Sequence, residues 1–483
     1  MIHQLKKISD YLFEIPKSYK TGMAVPARIY AGEDLIAGMD NAVFEQLSNV
    51  AMLPGIVKYA LCMPDGHSGY GFPIGGVAAI DPENGVISPG GIGFDINCGV
   101  RLIATNLVFD EIKNDVKRLV DTMFTRINSG VGKGGILSLT SSALDEAVIG
   151  GAGWAVGKGY GTARDLEYIE ENGRVKDADP SVVSPRANER GRGQAGSLGS
   201  GNHYLEIQVA KKKNIFDPAA AEKFGIFRDG QVMIMIHTGS RGYGHEIASE
   251  YLRKFVTAMQ GRYHINLPDR ELACAPFNSK DGQDYFKAMN CAINFAFMNR
   301  QLIMQAAREV FSDIFKKNPD ELGMDLVYDV CHNTAKIETH QIDGKKMKLL
   351  VHRKGATRSF TAEMKDVPEA YREVGQPVLI GGSMETGSYL MAAAEGSSKT
   401  FYSTVHGSGR VMSRSQAKKR FMGIELQKKM LGEGIYVQTS SMSGLAEEAG
   451  AAYKNVDRVV RCSEAAGLSR PVAKLIPIGN IKG

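Results

Sequence analysis

Residues 89–103 read PGGIGFDINCGVRLI. Glycines 90, 91, 93 and 99 surround one aspartate, Asp95, and one cysteine, Cys98, three positions apart. The chain then runs into GVRLIATNLVF (99–109), whose branched, apolar residues predict a β-strand. The glycines predict a turn at the mouth of that strand, aiming Asp95 and Cys98 the same way. This could be a tight turn that happens to hold polar residues. It could equally be a metal site with a carboxylate and a thiol as ligands, and these residues alone leave both readings open.

Further short β-type runs occur at VAAI (77–80), QVMIMI (231–236), DLVYDV (325–330), KLLV (348–351) and FYSTV (401–405). Helical spacing appears in DNAVFEQLSNVAML (40–53) and from about 284 to 316. In the second stretch Ile303, Ala307, Val310, Ile314 and Phe315 share a face, which predicts a core-packing helix with Arg308, Asp313 and Lys316 outside. Strands and helices do not alternate regularly. The expectation is therefore an α+β fold, with mixed sheets and surrounding helices, rather than a doubly wound sheet. Residues 256–283 and 360–375 are polar and weakly patterned and are expected to form surface excursions. No domain boundary is evident, so residues 1–483 are read as one unit.

Composition narrows the class. The 483 residues are 43% hydrophobic and 23% charged, ordinary for a globular chain with a large core. Glycine is enriched, with 55 residues and no collagen period or Gly/Ser linker, which places the excess in turns and close-approach loops. No apolar run approaches the ~20 residues of a membrane span. MIHQLKKISDYLFEIPK lacks the apolar core of a signal peptide, so a cytoplasmic location is expected. Cysteines 62, 98, 274, 291, 331 and 462 form no CxxC pair and read as free thiols or ligands. A net charge of +5 permits an anionic partner without identifying one.

The ten histidines are at 3, 67, 203, 237, 245, 264, 332, 340, 352 and 406. His237, His332, His352 and His406 sit at or just after apolar strands, in HTGSRG, CHN, HRKGATR and HGSGR. His203 lies in GSLGSGNHYLE and His67 in MPDGHSGYGFPIGG. A lone histidine at a strand end is ordinarily a satisfied hydrogen-bonding residue. Six in glycine-rich loops suggest imidazoles projected to one point from rigid elements. Asp95, Cys98, His203, His237 and His332 would supply five ligands, more than the four that close a structural zinc site. Either one metal has spare ligands, or two metals share a bridging group.

Arginines and lysines accompany these loops: Arg186, Arg190 and Arg192 in SPRANERGRG, Arg241 in HTGSRG, Arg353, Lys354 and Arg358 in HRKGATR, and Arg410 in HGSGR. Cations among glycines, beside candidate metal ligands, suit phosphate oxygens. No Walker A loop is present, and no G-x-G-x-x-G fingerprint sits in a clear βαβ context. The residues themselves thus describe a metal-assisted enzyme acting on phosphates.

DGHSGYGFPIGG, GGIGFDINCGVR, GSLGSGNHYLE, HTGSRG, CHN, HRKGATR, HGSGR and a terminal IKG occur in that order. Together they resemble the RtcB family of GTP-dependent RNA ligases, from about residue 20 to Gly483. The resemblance implies a single compact catalytic fold. It also implies an enzyme that joins RNA 3′-phosphate or 2′,3′-cyclic phosphate ends to 5′-hydroxyl ends, with two Mn²⁺ ions and GTP. By resemblance, Asp95, Cys98, His203, His237 and His332 bind the two ions and share the cysteine, and His406 forms a covalent histidine–GMP. Asn202, Glu206, Ser383, Ser388, Gly407, Gly409, Tyr453 and Lys482 stand at guanylate-binding positions. Arg190, Arg353, Lys354 and Arg410 are expected to meet RNA phosphates. Expected partners are RNA, such as tRNA halves or other broken RNA, and the accessory protein archease, with the ligase itself a monomer. One departure is Gly381-Gly-Ser-Met-Glu385, where the family usually shows PGSMG. It puts a glutamate beside a phosphate-binding loop. Two other readings fit part of the pattern: a metal-dependent phosphodiesterase or phosphatase, which leaves the His406 loop unexplained, and a non-catalytic RNA-binding scaffold.

Overall fold

The computed structural model describes residues 5–130 and 132–483; His3 lies outside them. The fold is α+β, with two large mixed sheets. The first runs, in spatial order, Lys6–Ser9, Leu12–Ile15, Ala27–Tyr30, Ile56–His67, Ile74–Ile80, Lys345–Lys354 and Asn333–Ile342. The second runs Leu326–Cys331, Gly99–Val108, Gln231–Thr238, Tyr204–Ile215, Ser469–Lys482, Ser388–Ala393 and Pro377–Ile380, with Tyr436–Thr439 pairing parallel to Ser469–Lys482. A small two-stranded sheet, Ala356–Arg358 against Ser403–Val405, carries the chain to His406.

The order of the second sheet explains why distant histidines meet. Its first four strands are antiparallel neighbours, and their register sets Gly99 beside both Cys331 and Thr238, and Tyr204 opposite His237. His332, Cys98, His237 and His203 therefore leave the sheet at one edge.

The long helix Lys280–Phe315 packs across this sheet. Ser279 caps its start by accepting from Gly282 N, and Lys316 ends it in a left-handed conformation. Its inward face is apolar, as expected at Ile303, Ala307 and Val310, but it also buries a polar row. Asn299 accepts from the backbone N–H groups of Gly196 and Ser197 and donates to the carbonyls of Ser197 and Gly239. Arg300, fully buried, donates to the carbonyls of Asn97 and Thr238 and forks onto Asp329 at 2.8–3.1 Å. Arg101 donates to the same carboxylate at 2.7 Å. One guanidinium thus ties together the segments that carry Cys98, His237 and His332.

Several expectations need correction. Arg308 is not on the outer face: it is buried and paired with Asp165. FYSTV forms a strand only over Ser403–Val405, because Phe401 and Tyr402 adopt φ of 52° and 50°. Residues 256–283 and 360–375 are not surface excursions throughout. The first stretch completes the helix Arg241–Gly261, buries Leu272 and Ala273, and pairs Ala275–Pro276 with Val86–Ile87. The second buries Phe360, Val367 and Tyr371. All six cysteines are free and buried. Among the described residues, no helix is long and apolar enough to cross a membrane.

Removing a partner from a buried, hydrogen-bonded ion pair costs about 3–5 kcal/mol. Arg300→Met is expected to lose that much in denaturant unfolding. A loss below about 1 kcal/mol would show that the strand ends hold themselves.

Candidate active site

At the shared edge, the ligating atoms point at one another. Asp95 Oδ2 and His203 Nε2 are 2.8 Å apart, and Cys98 Sγ lies 3.3 Å from His203 Nε2 and 3.2 Å from His237 Nε2. His237 Nε2 and His332 Nε2 are 3.3 Å apart. Two groups of possible ligands result, Asp95–Cys98–His203 and Cys98–His237–His332, with the thiol common to both. The turn predicted at 95–98 closes with Cys98 N donating to Asp95 O at 3.1 Å.

The electrostatics suit a cation. Burial raises the Cys98 thiol well above its usual range, and the Asp95 carboxylate adds to the effect. Burial also drives the imidazoles of His237 and His332 well below theirs. Asp95 is held at about 2: burial alone would raise it, but the His203 imidazole outweighs that. Asp95 Oδ2 has no well-directed hydrogen-bond donor. Ring nitrogens, a carboxylate and a thiol facing one another this closely fit borderline divalent ions, whose charge would hold Cys98 as thiolate.

His406 stands beside this cluster, its ring 4.8 Å from that of His332. It reaches the site from the small sheet, and the first large sheet anchors it. Asp65, on Ile56–His67 and fully buried, accepts from His406 Nδ1 at 2.6 Å. The same oxygen accepts from the backbone N–H groups of His406 and Gly407. Burial would raise the Asp65 carboxyl, but the His406 imidazole and these hydrogen bonds hold it below its usual value. With Nδ1 engaged, Nε2 is the nitrogen left free. Gly409 is required for the approach: its φ is +72°, and a Cβ would lie 2.1 Å from Asp65 O. Sequence reasoning passed over Asp65 for its neighbour His67. His67 also lines the cavity, with its imidazole lowered to about 4 by burial.

His406 and the metal-type cluster open onto one cavity of about 240 Å³. Asn202, Ser383, Gly407, Gly409, Tyr453 and Lys482 line it, as does Arg410. Glu206 and Ser388 do not: both are buried behind its wall. Glu206 accepts from Gln208 and Asn480, and burial raises its carboxyl to about 7 against the pull of Lys482. Ser388 Oγ accepts from Gly382 N and Gln208. Glu385 turns away from the cavity, paired with Lys429 at 2.6 Å and accepting from Gly450 N, so its charge does not face the site. A roomier groove of about 730 Å³, bordered by Glu171, Arg174, Lys336 and Lys365, contains none of the candidate ligands.

The expected phosphate contacts divide. Arg353 is corrected: it is buried within a strand, forks onto Glu338 and donates to Ser403. Lys354 is corrected too: it is buried, donates to the carbonyls of Tyr70 and Phe72, and is lowered to about 7 by burial. Arg410 lines the cavity but is engaged by Glu448, Tyr453 and the carbonyls of Met412 and Glu447. Arg190 is exposed and paired with Glu246.

Residues 46–483 match the family model described as tRNA-splicing ligase RtcB. The chain belongs to the RtcB family. Proteins with that same description are similar to it end to end. The one from Thermococcus kodakarensis is 53% identical over 481 residues, covering 99% of each chain. Those from Archaeoglobus fulgidus and Methanococcus maripaludis are 52% identical over 480 residues and 49% over 478, again covering 99% of each. Each of the eight sequence motifs quoted above contributes a residue to the lining of this cavity.

Cys98→Ser tests the shared thiol. It is expected to lower bound Mn²⁺, measured by elemental analysis after dialysis, at both ligand groups, because a hydroxyl is a far poorer ligand than a thiolate. Undiminished metal content would contradict sharing.

Proposed function

We propose that this protein is a GTP- and Mn²⁺-dependent RNA ligase that joins RNA 3′-phosphate or 2′,3′-cyclic phosphate ends to 5′-hydroxyl ends, with broken or spliced tRNA as a substrate. The observation that carries this reading is His406, anchored by Asp65 and lining the same cavity as Asp95, Cys98, His237 and His332, with His203 completing that donor set from behind. A hydrolase has use for the donor set but none for a second, separately anchored imidazole.

Asp95, Cys98 and His203 would hold one Mn²⁺, and Cys98, His237 and His332 the other. Bound there, the ions supply positive charge to the transferring phosphoryl groups and orient the attacking oxygen.

The chain's own residues do the rest. Asp65 keeps the proton of His406 on Nδ1, so the Nε2 lone pair faces the cavity and can attack the α-phosphorus of GTP. Pyrophosphate leaves, and a phosphoramidate forms between Nε2 and GMP. The ring becomes cationic as that bond forms, and the Asp65 carboxylate stabilises it. An oxygen of the RNA 3′-phosphate then attacks the same phosphorus, which breaks the P–N bond and returns a neutral imidazole. The 5′-hydroxyl of the second RNA attacks the activated 3′-phosphate and expels GMP. A cyclic phosphate must first be hydrolysed to the 3′-phosphate. Asn202, Ser383, Tyr453 and Lys482 line the same cavity as His406 and would hold the guanylate there.

Two variants separate the steps. His406→Ala should retain Mn²⁺, form no protein–GMP adduct with α-labelled GTP and fail on 3′-phosphate RNA, yet seal RNA already bearing a 3′-terminal diphosphate-linked guanosine. Label retained on that variant would move the nucleophile elsewhere. Asp65→Asn should keep the metals and slow adduct formation by about 10²-fold or more, the range of a general acid–base contribution. An unchanged rate would make Asp65 purely structural.

A further inference from the structure

Outside the cavity, on the Asp95 side, three rings pack together. Phe94 immediately precedes Asp95. Tyr70 meets it edge-on, with centroids 5.4 Å apart. His245 lies over it at 5.2 Å with the ring planes 26° apart. Tyr70 and Phe94 are partly exposed, and His245, at the top, is exposed. The platform is anchored from beneath, because the buried Lys354 holds the Tyr70 and Phe72 carbonyls.

Independently, arginines from two helices cluster beside His245. Glu246, on the helix that bears His245, meets three guanidiniums: Arg190 at 2.8 Å and Arg186 at 3.1 Å from the helix Pro185–Arg192, and Arg253 at 3.9 Å from its own helix. Arg186 and Arg253 are mostly exposed, at 71% and 66%, so they remain open to other anions. Arg241 sits between this cluster and the metal-type site, close enough to act on both Asp95 and Arg190.

A stacked aromatic surface beside clustered arginines is how single-stranded nucleic acid is held without reading its sequence. We propose that the Tyr70–Phe94–His245 stack is a subsite for an unpaired nucleobase of the RNA substrate, with His245 as its landing face and Arg186 and Arg190 receiving the adjoining phosphates. The proposal rests on the RNA-ligase reading and extends it. Phe94 and Asp95 are consecutive, so a base seated on the stack sets its own terminal phosphate or hydroxyl beside the donor set. Because every base offers a π-face, the subsite is tolerant of sequence and selects unpaired ends over duplex ones.

The test uses full-length Mn²⁺-loaded enzyme and two RNAs, one with a 3′-phosphate and one with a 5′-hydroxyl, each carrying 2-aminopurine at the end to be joined. Binding to wild-type enzyme should quench at least one of them. His245→Ala should lose that quench and raise the RNA KM about 5- to 150-fold, the span of one base–aromatic stack at ~1–3 kcal/mol. His245→Phe should restore both. An RNA abasic at the same end should bind wild-type enzyme that much more weakly, yet bind His245→Ala no worse than intact RNA does. Arg186→Ala should flatten the salt dependence of binding by about one phosphate contact. Equal quenching in wild type and His245→Ala, or an abasic penalty of the same size in both, would overturn the subsite. Quenching is read from binding alone. Absence of GMP labelling and sealing in the wild-type enzyme would therefore sink the ligase reading without touching the stacking result.

Discussion

The Arg300–Asp329 pair is the interaction on which the site depends. Strands that bring soft and borderline ligands to one edge create a problem: lone pairs and partial negative charges face each other in a buried space. Something behind them must hold that edge in shape. Arg300 does so from the long helix, gripping the carbonyl just before Cys98, the carbonyl just after His237, and the carboxylate three residues before His332. Asn299, one residue earlier, holds the 196–197 loop and Gly239 in the same way. A planar fork with five donors suits this task, which a lysine's point charge could not perform.

Against that rigid half, the second half of the site is supplied from elsewhere. His406 comes from the small two-stranded sheet and Asp65 from the first large sheet, so the reactive imidazole stands where separate layers meet. One carboxylate oxygen accepts from the ring and from two backbone N–H groups, which fixes ring orientation and tautomer together. The two candidate ligand groups and His406 thus meet at one cavity of about 240 Å³, and His406 belongs to neither ligand group.

Much of this was legible in the sequence, for chemical reasons. Cysteine and histidine among glycines are distinctive, and Asp95, Cys98, His203, His237, His332 and His406 all stood out on that ground. Strand order was not legible, because Gly99–Val108 pairs with Gln231–Thr238 and with Leu326–Cys331, each more than a hundred residues away along the chain. Arg300 was hidden because a buried cation on an amphipathic helix has the spacing of a solvated one; Arg308 misled in the same way. Arg353 and Lys354 looked like loop cations beside Gly355, yet their register places them in a strand flanked by two others, where each is consumed by buried partners. Asp65 carried a signal, an acid two residues before His67, but nothing in the sequence linked it to a histidine 341 positions away.

The central claim is that one thiolate serves two metal positions held by one clamp. The most direct measurement is anomalous scattering at the manganese edge from crystals of the protein soaked in Mn²⁺. The account predicts two peaks flanking Cys98 Sγ, one among Asp95, Cys98 and His203 and the other among Cys98, His237 and His332. A single peak, or a pair in which Cys98 ligates only one ion, would contradict it.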